Sequence, residues 1–242
     1  MKLAVVIPTY KAHFPLLESL LINISEQTRS PDMVIIRASS CDDATPLNAL
    51  LTMPWKFPIN ILYTPAKQHA GQNRNEGADA VPEDFDAISF IDSDDLMHPR
   101  RLELVLPFLE QGADAVFHDT IRGPRDAVTW GEEEADPVWG SISLQKETMF
   151  SVLDNCMVPF LRPIPMDEEL EKELCIQFAH GTVRTSCFKA IRFNEGAFRY
   201  EDAQFVSDIV FNKYKTVTLR NRLSHYTTVC EEEEAAKYDV LK

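Results

Sequence analysis

Asp92, Asp94 and Asp95 place three carboxylates within four residues, around Ser93 and directly after the apolar run Ala87–Ile91. Like charge at that density beside a buried strand is costly unless a positive group joins it. A hard divalent cation is the natural partner: magnesium or manganese takes one or two carboxylates and fills its remaining positions with water and phosphate oxygens. The plainer reading is an exposed turn whose last aspartate caps a helix beginning near Pro99. Glu201 and Asp202 form a second acidic pair, just ahead of Phe205, Ile209 and Val210, where they also suit the positive end of a helix dipole.

The elements that must position these residues follow from periodicity. Leu3–Ile7 is a short β-branched run ending at Pro8, the pattern of a strand buried on both faces. Leu16, Leu17, Leu20, Leu21 and Ile24 then recur at helical spacing from Phe14 onward. Met33–Ile36, Ile59–Tyr63, Ala87–Ile91 and Ala113–Phe117 predict four further strands. Helices are expected over Thr45–Leu51, Gly71–Ala80 and from Pro99 to Leu109, ahead of Gly112. Strands alternating with helices imply an α/β fold, with a mostly parallel sheet wound by right-handed crossovers and flanked by helices. Ligands of such sheets sit at the carboxyl ends of strands, where Pro8-Thr9-Tyr10, Ala38-Ser39-Ser40 and the acidic cluster all fall. From about Arg122 to Pro165 prolines and scattered aromatics (Trp130, Trp139, Phe150, Phe160) predict a less regular, acceptor-side region. Tyr200–Tyr214 reads as a helix and Thr216–Leu219 as a final strand.

The chain has 242 residues, 45% hydrophobic and 26% charged, enough for one substantial core. Its organisation reads as two halves of one domain, 1–120 and 121–230, with an acidic tail at 231–242. A second acidic run spans Asp167–Glu173, and both runs read as solvated surface. The net charge of −14 argues against broad contact with nucleic acid, unless Lys213, Lys215, Arg220 and Arg222 form a local basic stripe. The five cysteines show no C-x-x-C pairing and fit neither a disulfide framework nor a zinc site, which points to a cytoplasmic protein. No apolar stretch approaches bilayer length, so the expectation is a soluble or peripherally membrane-associated chain.

Val5-Val6-Ile7-Pro8-Thr9-Tyr10, Ala70-Gly71-Gln72-Asn73-Arg74-Asn75-Glu76-Gly77, Phe90-Ile91-Asp92-Ser93-Asp94-Asp95 and Tyr200-Glu201-Asp202 stand in one order along the chain. Together they resemble the opening strand, A-x-x-R-N-x-G helix start, D-x-D strand end and E-D motif of the family 2 glycosyltransferases, which have the GT-A fold. The resemblance implies an inverting transfer from a UDP- or GDP-type nucleotide sugar to a glycan, a lipid-linked saccharide or another hydroxyl acceptor, with Mn2+ or Mg2+ bound. It implies that Pro8, Thr9 and Tyr10 line the base and ribose, that Asp92, beside Ser93, faces the ribose, and that Asp94 binds the metal. Arg74 would sit near the nucleotide, where its planar fork suits phosphate or a base edge. Asp202 would be the general base, assisted or held by Glu201. His225 falls where some GT-A enzymes place a third metal ligand, and His180 and Arg184 lie where they could touch acceptor or diphosphate. His69, His98 and His118 carry no comparable argument.

One departure stands out. The family's second strand runs into an acidic loop whose aspartate holds the nucleobase, but here the matched positions are Ala38 and Ser39. Ser39 and Ser40 can still hydrogen-bond a base edge, and Asp42 or Asp43 reaches it only after a loop shift. The competing expectation is therefore a degenerate GT-A domain that binds a nucleotide, sugar or protein partner without turnover. A nucleotidyltransferase or a dinucleotide oxidoreductase would want a glycine-rich phosphate loop after the first strand, and Pro8-Thr9-Tyr10-Lys11 offers none.

Overall fold

The computed structural model describes residues 1–131, 134–140, 142–153, 156–165 and 176–228. The acidic run at 167–173 and the tail at 231–242 lie outside them. Strand β1 (Leu3–Tyr10) is followed by α1 (Phe14–Ser25), β2 (Met33–Ser39), α2 (Thr45–Leu50), β3 (Ile59–Tyr63), α3 (Ala70–Asp79) and β4 (Ala87–Phe90). Then come β5 (Leu96–Met97), α4 (Arg101–Glu110), β6 (Ala115–Gly123), β7 (Pro137–Trp139), β8 (Ile142–Leu153) and β9 (Cys156–Pro165). The chain continues through β10 (Thr182–Arg184), α5 (Thr185–Ala190), α6 (Glu201–Phe211) and β11 (Thr216–Thr227). The main sheet has the order β3-β2-β1-β4-β10-β6-β11-β5, with β7 on the flank of β11.

β1 runs parallel to both β2 and β4, and its alternation explains why Leu3–Ile7 is apolar throughout. Leu3, Val5 and Ile7 pack with Leu17, Leu20, Leu21 and Ile24 of α1, while Ala4 and Val6 face the opposite core with Ala78, Phe188 and Phe205. Successive side chains point to opposite faces, so a strand covered on both needs apolar residues at every position.

β1 continues through Pro8 to Tyr10, beyond the stop that the proline suggests. The Val6 carbonyl accepts from Ile91, so even-numbered residues of β1 face β4; that strand has ended by Pro8, and the missing N–H breaks no ladder bond.

The sheet is mostly parallel on its β3-β2-β1-β4 side. The short β10 inserts antiparallel between β4 and β6, an element that the sequence did not suggest. The 122–165 region is also more regular than expected: β8 and β9 form a two-stranded antiparallel sheet of their own. Proline is tolerated there because a two-stranded ribbon has an edge on each side, where a missing N–H costs no bond. β11 extends eight residues past Leu219, to Thr227, passing a register irregularity between Leu219 and Ser224. That extension carries Thr227 back to the acidic loop.

Two glycines set how closely α3 approaches. A Cβ on Gly77 would lie 2.8 Å from Val6 Cγ1, and one on Gly71 2.8 Å from the Asn194 carbonyl. The helix can lie against β1 and the 193–197 loop only because both side chains are absent. No described helix is long and apolar enough to cross a membrane. Cys41 and Cys187 are buried free thiols.

Candidate functional site

A cavity of about 560 Å³ opens at the carboxyl ends of β1, β2 and β4. Pro8, Thr9 and Tyr10 come from β1, Ser39 and Ser40 from the end of β2, and Asp92, Ser93 and Asp94 from the loop after β4. Arg74 and Asn73 enter from the first turns of α3, and Phe198 and Glu201 close the wall from the start of α6. Asp202 and His225 are not in the lining.

Arg74 organises the floor. Its guanidinium is 2% exposed, with Nη2 2.6 Å from Asp92 Oδ1 and Nη1 2.7 Å from Glu201 Oε1. It also lies over the Phe193 ring, 5.3 Å from the centroid. Burial alone would lower its pKa, but Asp92, Glu201 and Asp202 outweigh that and raise it, so the cation is fixed. The residue expected to meet phosphate or a base edge thus has both terminal nitrogens on carboxylates while still lining the cavity.

Asp202 sits in the first turn of α6 and accepts the Ala203 N–H at 2.8 Å. Burial, then the neighbouring charge of Glu201, pushes its pKa up to about 6 despite the opposing pull of Arg74. Tyr200, just before it, takes the left-handed conformation at φ 62°. That turn sends Glu201 to the cavity wall.

In the acidic loop the carboxylates have separate surroundings. Asp94 Oδ1 lies 3.7 Å from His13 Nδ1, which is itself 3.3 Å from Ser93 Oγ. Asp95 is 1% exposed and accepts the Thr227 N–H at 2.7 Å, while the Thr227 hydroxyl donates to the Asp94 carbonyl. Asp95 is therefore neither an exposed turn residue nor the cap of α4, whose N-cap Arg100 receives no side-chain cap. Its pKa is driven well above the usual carboxylate range by burial and then by Asp94 and Asp92. His180 Nε2 stands 2.9 Å from Asp95 Oδ2 but off the axis of a hydrogen bond, and its Nδ1 meets Ser224 Oγ at 2.8 Å. Burial takes the His180 pKa down to about 3, so its ring is neutral.

The chemistry of the donor set fits a divalent cation. Asp92 and Asp94 bring hard oxygen ligands to the wall, with the repulsion among the three aspartates left over for a cation to offset. Of the expected metal residues, Asp92 and Asp94 line the cavity and His225 does not. Among the described residues, the ligand atoms lying within 4.8 Å of one another belong to Asp92, Asp95 and His180. His225 is 1% exposed, and its Nε2 lies 3.8 Å from where a Cβ on Gly123 would stand. In the sheet it pairs with Leu96 of β5, next to the acidic loop, and with Ile121 of β6. Arg184 is also displaced: it pairs with Ala87 at the opposite end of β4 and donates to the Ala113 and Leu109 carbonyls.

Several wall residues carried no sequence argument: His13, Lys67, Gln68, His69 and Phe198. His69 meets the Phe198 ring edge-on at 5.8 Å, tying the loop before α3 to the segment before α6. Asn73 was legible only as the neighbour of Arg74 on the same helix turn.

A model of the family described as glycosyl transferase family 2 matches residues 4–174. An uncharacterized glycosyltransferase of Haemophilus influenzae is 31% identical over 117 residues, which are 48% of this chain and 37% of that one. The fold is similar to that of S. aureus TarS 1-349 in complex with UDP, with a TM-score of 0.65 and 19% identity over 97% of this chain and 63% of that 1-349 chain. The complex of the same protein with UDP-GlcNAc gives a TM-score of 0.66 and 19% identity over 98% of this chain and 61% of that one. The chain thus spans little more than a third of the curated relative and less than two thirds of the structural ones. At such identity the structural likeness establishes the GT-A type of fold.

Proposed function

The chain belongs to glycosyl transferase family 2, and from that premise we propose that it moves a sugar from a nucleoside-diphosphate sugar to a hydroxyl acceptor with inversion. The observation that carries the reading is the convergence on one cavity of the β1 loop, Asp92 and Asp94, and Glu201 beside Asp202, with Arg74 joining the last two elements. The UDP and UDP-GlcNAc complexes of the S. aureus relative favour a uridine nucleotide over the guanosine alternative. The acceptor is a glycan, a lipid-linked saccharide or another hydroxyl compound.

Asp94 and Asp92 would hold a magnesium or manganese ion. Such an ion supplies stabilisation of the charge that collects on the departing diphosphate. Pro8, Thr9 and Tyr10 flank the base and ribose. With its Oδ1 on Arg74, Asp92 is held in a fixed rotamer beside Ser93. Asp202 takes the proton of the acceptor hydroxyl as that oxygen bonds to the anomeric carbon and the bond from that carbon to the diphosphate oxygen breaks. Its pKa of about 6 suits this role, since most of the carboxyl is ionised at neutral pH yet it remains basic enough to receive a proton. Glu201, clamped by Arg74, fixes the first turn of α6 and with it the direction from which Asp202 works.

The test is calorimetric titration with UDP, with and without manganese, on wild type and Asp94→Ala. Binding should depend on the metal and be lost in the variant; metal-independent binding unchanged by the substitution overturns the assignment of the acidic loop. UDP binding without hydrolysis or transfer of UDP-sugars to any acceptor would instead favour the non-catalytic alternative, which the absence of a carboxylate at Ala38 and Ser39 motivates.

A further inference from the structure

The loop that carries Asp92 and Asp94 leaves β4 at Phe90 and reaches α4 at Arg101, the first residue of that helix. Arg101 reaches back across the interval. Its Nη2 donates to the Phe90 carbonyl at 2.8 Å, to Ser89 Oγ at 3.2 Å and to the His180 carbonyl. One nitrogen therefore ties both ends of the acidic loop to each other and to the turn ahead of β10. The side chain is wholly buried, and its Nε and Nη1 meet no hydrogen-bond partner among the described residues. Burial lowers its pKa to about 9 against the attraction of Asp95, so it stays a cation at neutral pH. A buried cation with unmatched nitrogens is a poor stabiliser beside an apolar side chain of similar volume. Its contribution lies in what it places.

The contacts around it bear on the two carboxylates. Phe90 donates its N–H to the Gly181 carbonyl at 3.0 Å, and Ser89 Oγ meets Thr182 Oγ1 at 2.9 Å, so β4 and β10 are locked together where β4 ends. His180, whose carbonyl Arg101 holds, sets its ring 2.9 Å from Asp95. Within the loop the Asp95 N–H closes a turn on the Asp92 carbonyl at 3.1 Å. We propose that Arg101 is a positioning residue for sugar transfer: by clasping Phe90 and His180 it fixes where Asp92 and Asp94 stand, without itself lining the cavity. This rests on the donor reading above. Holding a loop by its ends removes freedom from the residues between them, so a cation and diphosphate binding there have less order to impose. Arg74 acts differently, since it holds one carboxylate of the loop directly.

Arg101→Lys keeps a cation but has no fork, and Arg101→Met removes the charge as well. Both are read below their melting temperatures, by native-state hydrogen exchange and by calorimetric titration with UDP in the presence of manganese. The amides of Ile91 and Thr227 donate to the Val6 carbonyl and to Asp95, and that of Val34 donates to the Pro58 carbonyl, away from the loop. In Arg101→Lys the first two should be accelerated about tenfold more than Val34. The dissociation constant for UDP should rise by about tenfold in Arg101→Lys and further in Arg101→Met. Arg101→Lys carries the test if melting shows that Arg101→Met does not fold. Equal acceleration at all three amides marks a structural role alone, and wild-type UDP affinity in a loosened loop means that the clasp does not serve binding. Either result overturns the proposal and leaves the donor site standing. A wild type that binds no UDP in manganese overturns the donor reading itself, which the exchange rates of the variants cannot do.

Discussion

Arg74 and Glu201 meet at 2.7 Å across 127 positions of sequence, and the same guanidinium holds Asp92 at 2.6 Å. One buried cation therefore connects the acidic loop after β4 to the start of α6. The connection gives a donor-side carboxylate and the helix bearing Asp202 a common anchor. With both ends of its fork used, the cation is a positioning group whose loss leaves buried negative charge unmatched.

Arg74→Met should accordingly destabilise the fold by about 3–5 kcal/mol in urea unfolding, because removing one partner strands the others in a poorly solvated site. Arg74→Lys restores the charge but cannot span two carboxylates with one ammonium, and should recover only part of the loss. A cost for Arg74→Met below about 1 kcal/mol would mean that solvent reaches these carboxylates freely.

Asp202→Asn should leave UDP affinity within about twofold of wild type and lower the transfer rate by about 10²- to 10⁴-fold, measured as sugar transferred in single-turnover assays. Glu201→Gln keeps one acceptor for Arg74 and should cost less. Retained transfer by Asp202→Asn together with its loss in Glu201→Gln would move the base to Glu201, the member of the pair that lines the cavity.

The pH dependence of wild type should carry the same signature twice. The transfer rate should rise through about pH 6 as Asp202 loses its proton, then level off, and its contribution to stability should change in the opposite sense. The folded pKa of about 6 lies above the ordinary 3.8, so the folded chain binds this proton more tightly than the unfolded chain does. The Asp202 contribution to unfolding free energy should thus fall as pH climbs from about 4 to about 6 and level above that, while the buried His180, with its pKa lowered to about 3, contributes in the opposite sense over the same range. Asp95, raised in the same direction, adds to the slope. Denaturant titrations over this range isolate the Asp202 part as the difference between wild type and Asp202→Asn, which should shrink as pH climbs.

Gly77→Ala should destabilise by about 1–2 kcal/mol even though alanine favours helix, since the new methyl meets Val6 Cγ1 at 2.8 Å and Arg37 Cβ at 3.3 Å. In a Val6→Ala background the same substitution should cost markedly less when scored by thermal unfolding, because the nearer clash is gone.

By itself the sequence determined the α/β alternation and the family motifs, because both are written in short local strings: apolar runs of strand length, helical periodicity, and carboxylates at a strand end. Pro8-Thr9-Tyr10, Arg74 and Asp92-Ser93-Asp94 could be assigned to one crevice because parallel strands must present their carboxyl ends together. Tertiary structure decided the partners. That Arg74 would be consumed by Asp92 and Glu201, that Asp95 would retreat to His180 and Thr227, and that Arg184 would pair at the far end of β4 depend on elements distant in sequence. The insertion of β10 and the length and register shift of β11 set those contacts, and no local period encodes them.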